Sequence, residues 1–172
     1  MIKLEDLRIG DLVKVDEIGC MVPLGTMCKV VAIDSEKSFE EMNLKGCATL
    51  IELEVNHRSI PFGIWCKYIS PIPLTPEILE KNGWNKKTFY EKLSKSLRER
   101  FGYTSPNTVS VMERYCYTLP NTVLSIDYVP YRTQESERFS VYGDCFMIKH
   151  IVYVHELQHI LWALGLDANL KI

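Results

Sequence analysis

Apolar and polar residues alternate with a period of two through most of the first seventy positions, and that period marks strands with one buried face. Residues 11–16 alternate, 27–33 are rich in β-branched side chains, 48–55 alternate again, and 60–69 form an apolar, aromatic run. Gly10, Gly19, Pro23, Gly25 and Gly46 stand between these runs at turn-like positions. Residues 35–43 are polar and read as a loop or a single helical turn. Four or five short strands without a long helix predict a small, closed or half-closed SH3-like β barrel over residues 1–72.

The pattern changes at Ser70-Pro71-Ile72-Pro73-Leu74-Thr75-Pro76, where three prolines interrupt any central strand. Thr75 followed by Pro76 predicts a helix start, with a capping hydroxyl and then proline in the first turn. A short helix over 76–81 ends near Gly83, and Phe89, Tyr90, Leu93 and Leu97 follow helical spacing over 85–101. Strand-like runs follow at 109–119, 122–131 and 139–142, with Pro120-Asn121 placed for a turn. A helix over 148–164, stopped by Gly165, closes the chain. The expected fold class is therefore α+β: an SH3-like barrel, then an α+β domain over 73–172 ending in a C-terminal helix.

Composition narrows the functional classes. Twenty basic and 22 acidic residues give a net charge of −2, so no broad positive field exists to attract a phosphate backbone. No uninterrupted apolar run approaches the roughly 20 residues that span a bilayer, and the first residues mix acids among the apolar positions. A cytoplasmic protein without a membrane segment is expected. The six cysteines include no Cys-x-x-Cys pair, so they read as small apolar side chains in a reducing compartment.

One motif has a chemical logic. His155-Glu156-Leu157-Gln158-His159 fits His-Glu-x-x-His, in which two imidazoles four apart on a helix hold zinc and the glutamate activates a bound water. On that alternative, His155 and His159 are ligands, Glu156 is the base, and zinc is the cofactor. A third ligand is then required, with Asp144, Cys145, His150 and Asp167 as candidates and Glu135 and Glu137 further upstream. The longer zinc-protease pattern needs Gly and His where this chain has Trp162 and Gly165. At roughly 100° per residue, Val154, Leu157, Ile160, Leu161 and Leu164 form an apolar arc, and the two histidines and Glu156 fall opposite it. That places the motif on a polar outer strip, with no catalytic residue, metal or cofactor expected. A basic stripe including Lys86, Lys87 and Arg98, interleaved with Phe89 and Tyr90, offers a weak nucleic-acid contact as a further alternative.

Three segments together carry a resemblance: Leu7-Arg8-Ile9-Gly10, Pro71-Ile72-Pro73-Leu74-Thr75, and Tyr153-Val154-His155 with Leu157, Gln158, Ala163 and Leu164. The chain resembles a family of short proteins in Bacteroidetes genomes and their prophages, with an opening LRIGN, a central PIPLTEEWL and a closing YVHQLQNLYFALTGEEL. Where that family has Gln and Asn, this chain has Glu156 and His159. The resemblance thus implies a structural helix motif with local variation, and it implies no activity. It covers both ends and the hinge, while residues 85–147 carry none of its motifs. The leading expectation is a non-enzymatic binding or accessory module of prophage or mobile-element origin, with a protein or peptide partner.

Overall fold

The structure, a computed structural model, describes residues 2, 4–16, 22–40, 44–52, 61–92, 111–130 and 139–172. Its strands are β1 (Leu12–Val15), β2 (Met27–Phe39), β3 (Leu44–Glu52), β4 (Phe62–Trp65), β5 (Ile69–Pro71), β6 (Asn85–Lys92), β7 (Val111–Thr118), β8 (Leu124–Tyr128), β9 (Phe139–Gly143) and β10 (Phe146–Ile151). Among the described residues two α-helices accompany them, α1 (Pro76–Lys81) and α2 (Val154–Ala163), with 3-10 turns at Leu4–Asp6 and Cys66–Tyr68. All strand pairings are antiparallel, in two five-stranded sheets. The α+β class expected from the sequence is what the structure has.

The chain divides into two compact units. The first comprises Met1–Pro73 and Tyr153–Leu170, the second Leu74–Val152 and Lys171–Ile172. A single cut after residue 72 assigns α2 to the second half, but its contacts group it with the N-terminal sheet.

In the first unit the sheet order is β4-β3-β2-β1-β5. The alternation read at residues 11–16 is the inward face of β1, where Val13 and Val15 are wholly buried. They join Cys28, Val30, Ala48, Leu50 and Ile64 in one core cluster. Among the described residues no pairing joins β4 to β5, so the sheet is seen open and not as a closed barrel. The segment expected as a loop after residue 34 instead prolongs β2 to Phe39, with a break in register between Asp34 and Ser38. Asp34 Oδ1 accepts from the backbone N–H of Glu36 and Lys37, which accommodates that irregularity and hides the strand's period.

In the second unit the order is β10-β9-β8-β7-β6. Leu124, Ile126 and Tyr128 alternate into its core from β8, meeting Val141 and Phe139 of β9 in register. Tyr128 stacks on Phe139 with ring centroids 4.6 Å apart. Thr75 caps α1 by accepting from Ile78 N at 3.4 Å, with Pro76 in the first turn as read from the sequence. The turn before β8 forms at Asn121, whose φ of 60° suits asparagine.

Two helix assignments change. The helix expected over 85–101 is the strand β6 for Asn85–Lys92, and its remainder lies outside the described residues. Eight consecutive pairs with β7, from Asn85↔Thr118 to Lys92↔Val111, override a helical period resting on four apolar positions. The terminal helix begins at Val154, because Phe146–Ile151 first completes a hairpin with β9 around Asp144 and Cys145. Asp144 takes a φ of 55° there.

Phe139 is 1% exposed in a stacked aromatic pair. Phe139→Ala is expected to destabilise the second unit by about 3–5 kcal/mol, read by urea unfolding followed through the tyrosine signal.

Candidate functional site: the terminal helix against the first strand

The five residues of the motif at 155–159 lie in the first two turns of α2, and the i, i+3, i+4 rule decides which way they point. The buried set is Val154, His155, Leu157, Gln158 and Leu161. Val154, Leu157 and Leu161 of the apolar arc face inward as read from the helical wheel, and of the polar strip only His155 joins them, with Glu156 and His159 half-buried. His155 is only 5% exposed, whereas Trp162 and Leu164, one of them assigned to the apolar arc, are each 51% exposed. The rotation is set by the hydrogen-bonding needs of the backbone beneath the helix.

That backbone is the entrance to β1. Gly10 turns the chain at a φ of 100°, its N–H donates to Val30 O, and Asp11 O accepts from Val30 N. The ladder partners of Leu12 N and Gly10 O come from α2. Gln158 Oε1 accepts from Leu12 N at 2.9 Å, and Gln158 Nε2 donates to Gly10 O at 3.2 Å and to Ala168 O at 3.1 Å. One buried amide thus satisfies three backbone groups from the start of β1 and the tail that follows the helix.

Beside it, Asp11 is 1% exposed. Its Oδ2 accepts from Arg8 N at 2.7 Å, and its Oδ1 lies 2.8 Å from His159 Nε2. Burial pushes the Asp11 carboxyl above its ordinary range, and the Arg8 N–H and His159 pull it back. Burial likewise holds the His155 imidazole below the usual histidine value. The His155 ring stacks on Tyr153 at 5.8 Å and meets His159 edge-on at 5.7 Å. Glu156 Oε2 accepts from Tyr153 N at 3.1 Å, the position of a capping glutamate at the third residue of a helix.

Glu156 and His159 therefore have bonding partners within the fold, and His155 is enclosed. His159 Nε2 points at Asp11, and Glu156 caps the helix. The third-ligand candidates stand in other settings. His150 Nδ1 is 2.9 Å from Ser140 Oγ. Asp144 and Cys145 form the β9–β10 turn. Asp167 Oδ1 accepts from the backbone and side-chain nitrogens of Asn169, which lower its carboxyl. Glu135 and Glu137 lie outside the described residues. Among the described residues no three His, Cys, Asp or Glu side chains gather where one metal ion could be held.

The basic stripe sits on β6 and not on a helix. Lys86 pairs with Glu80 at 3.2 Å and lies 4.4 Å from the Tyr115 ring centroid, and Lys87 lies 5.1 Å from that of Phe89. Arg98 falls outside the described residues.

Asp11 was absent from the sequence candidates. The signal for it was local: an acid directly after a turn glycine and directly before an apolar strand is placed to be drawn into the sheet. Gln158 was visible only as an unassigned position of the motif. No protein-family profile, curated protein or solved structure matches the chain.

Gln158→Leu keeps much of the side chain's size but strands Leu12 N–H, Gly10 C=O and Ala168 C=O. With about 1–3 kcal/mol for each buried group left without a partner, a loss of at least about 2 kcal/mol in unfolding free energy is expected by urea titration. Gln158→Glu accepts from Leu12 N but cannot donate to either carbonyl while ionised. Its deficit at neutral pH should shrink as the solution is acidified and the carboxyl regains a donor.

Proposed function

We propose that this chain is a non-enzymatic binding module whose docking edge for an extended polypeptide is β10. Three consecutive large apolar side chains on that strand face solvent: Phe146 at 78%, Met147 at 52% and Ile148 at 45% exposure. The strand ends its sheet, paired to β9 on one side only among the described residues. An edge strand offers backbone donors and acceptors in a row, and apolar side chains beside them add the pockets of strand-addition binding. Soluble folds usually blunt such an edge with charge or proline, and here the first basic residue, Lys149, comes only after the apolar run.

Two further readings belong with this one. The first unit is read as SH3-like: its meander runs β1 to β4, a 3-10 turn at Cys66–Tyr68 follows, and β5 returns to pair with β1. Folds of that kind are platforms on which partners dock, without fixing which partner. The sequence resemblance supports a prophage or mobile-element accessory, working in the cytoplasm. Among the described residues no helix is long and apolar enough to cross a membrane.

The test has two arms. Calorimetric titration against a panel of short apolar, strand-forming peptides should detect binding at micromolar to millimolar concentrations, weakened at least about tenfold by Phe146→Ser with Ile148→Lys. Equal affinity in that double variant would remove β10 as the edge. Metal analysis of untagged protein, offered zinc, should give no stoichiometric metal. About one zinc per chain, lost in a His155→Ala, His159→Ala variant, would overturn the non-enzymatic reading in favour of a zinc hydrolase.

A further inference from the structure

Three buried side-chain polar atoms among the described residues lack a hydrogen-bond partner: Ser70 Oγ, Tyr117 Oη and His155 Nδ1. The third differs from the other two because its residue titrates near neutral pH. The neutral ring leaves Nδ1 as an unpaired acceptor or donor according to tautomer. The charged ring must carry N–H on both nitrogens, so at Nδ1 it buries a donor with nothing to receive it.

Among the described residues, Nδ1 has no acceptor at hydrogen-bond distance. The titratable groups that act on this ring are Asp11 at the entrance to β1, Asp6 on the first 3-10 turn, and Glu156 and His159 on its own helix. The carboxylates favour a charged ring. Asp11 is already shared between Arg8 N and His159, and Glu156 already accepts from Tyr153 N. His159, edge-on at 5.7 Å, opposes a second cation beside it.

We propose that α2 is an acid-releasable clasp: the seated helix cannot accommodate a proton on His155, so mild acid shifts the first unit toward a form in which Tyr153–Leu170 has left the sheet. The release acts through Gln158, because its two bonds to the sheet entrance, at Leu12 N and Gly10 O, require the same helix position that encloses His155.

The direction follows from linkage. Burial holds the seated His155 below its ordinary 6.5, while the released ring titrates at that value. The stabilising contribution is complete above 6.5 and is lost as pH falls through 6.5 toward the seated ring's lower value. One unit below 6.5, the opening equilibrium rises by up to about tenfold. Asp11 has the opposite sign. Its raised carboxyl favours the seated form as pH falls toward its own range, so it opposes the release.

Hydrogen–deuterium exchange on the intact protein at about pH 7.5 and about pH 5.5, corrected for the intrinsic exchange rate, reads the opening directly. Peptides over 153–170 should lose protection by about tenfold on acidification, while peptides over β7 and β8 keep theirs. His155→Phe, which fills the same space without titrating, should abolish the difference. An equal loss in that variant, or none in the parent, overturns the proposal. Should the variant fail to fold, an NMR titration of the parent's His155 ring decides. Titration clearly below the ordinary histidine value supports the clasp, and titration at or above it overturns it.

Discussion

The amide of Gln158 is the constraint on which the first unit is organised. A strand that begins after a tight glycine turn exposes ladder groups before it has a neighbour to meet them. Here Gly10 O and Leu12 N are in that position, buried under a helix from the other end of the chain. Leaving such groups unpaired costs about 1–3 kcal/mol each, a large share of a typical domain's net stability. A glutamine carries both a donor and an acceptor on a reach long enough to serve both, and its second amide hydrogen binds the tail at Ala168 O. Asp11 and His159 reinforce the same junction from the next residue of the helix. Elsewhere in this unit, β5 runs into Pro73, which bridges to Tyr153, and Val154 N donates to Ile72 O. The helix is thus anchored at its start by the chain leaving β5 and at its middle by the chain entering β1.

This arrangement gives Glu156 and His159 of the metal-binding spacing contacts within the fold. Residues four apart share a helix face whatever they do there. In a hydrolase the shared face looks onto an open coordination site. In this chain it looks onto a strand entrance, where His159 meets a buried carboxylate and Gln158, one residue earlier, meets the backbone. Glu156 stands at the third helical position, where a carboxylate naturally caps the first turn. The motif is a consequence of docking a helix start onto backbone that needs partners. The three segments that carry the family resemblance are also drawn together here, since Gly10 lies at the first strand's turn, Ile72 and Pro73 leave the fifth, and Gln158 lies on the helix.

Where the sequence was legible, one face of an element met one environment. β1 and β3 were recognisable from their alternation, β4, β7, β8 and β9 as apolar or strand-like runs, and α1 because Thr75 and Pro76 both act within a few residues. Legibility failed where a distant partner decided. β6 carries Lys86, Lys87, Thr88, Phe89 and Tyr90 in an order compatible with either period, and its pairing with β7 settled it. β10 was absorbed into the terminal helix because Phe146–Ile151 offers almost no alternation to read: all but its last residue is exposed. The wheel of α2 placed Val154, Leu157 and Leu161 inward and missed His155 and Gln158, which hydropathy ranks as outward; the bonds that hold Gln158 inward come from residues nearly 150 positions away.

The two units depart from ordinary partitioning in opposite senses. The first buries polar side chains, Asp11, Ser70, His155 and Gln158, and two of these four are fully answered from within. Its oddities are internal and concern how the fold holds together. The second exposes apolar side chains on an edge strand, and burial within its own sheet offers them no compensation, because alternate residues of a strand can reach only one packed face. Phe146, Met147 and Ile148 are consecutive, so both faces of that strand present apolar surface to water. A buried polar group can be rationalised by its partner inside the molecule. An apolar strand exposed on both faces gains no burial from its own sheet, and that asymmetry favours β10 over the helix motif as the proposed docking edge.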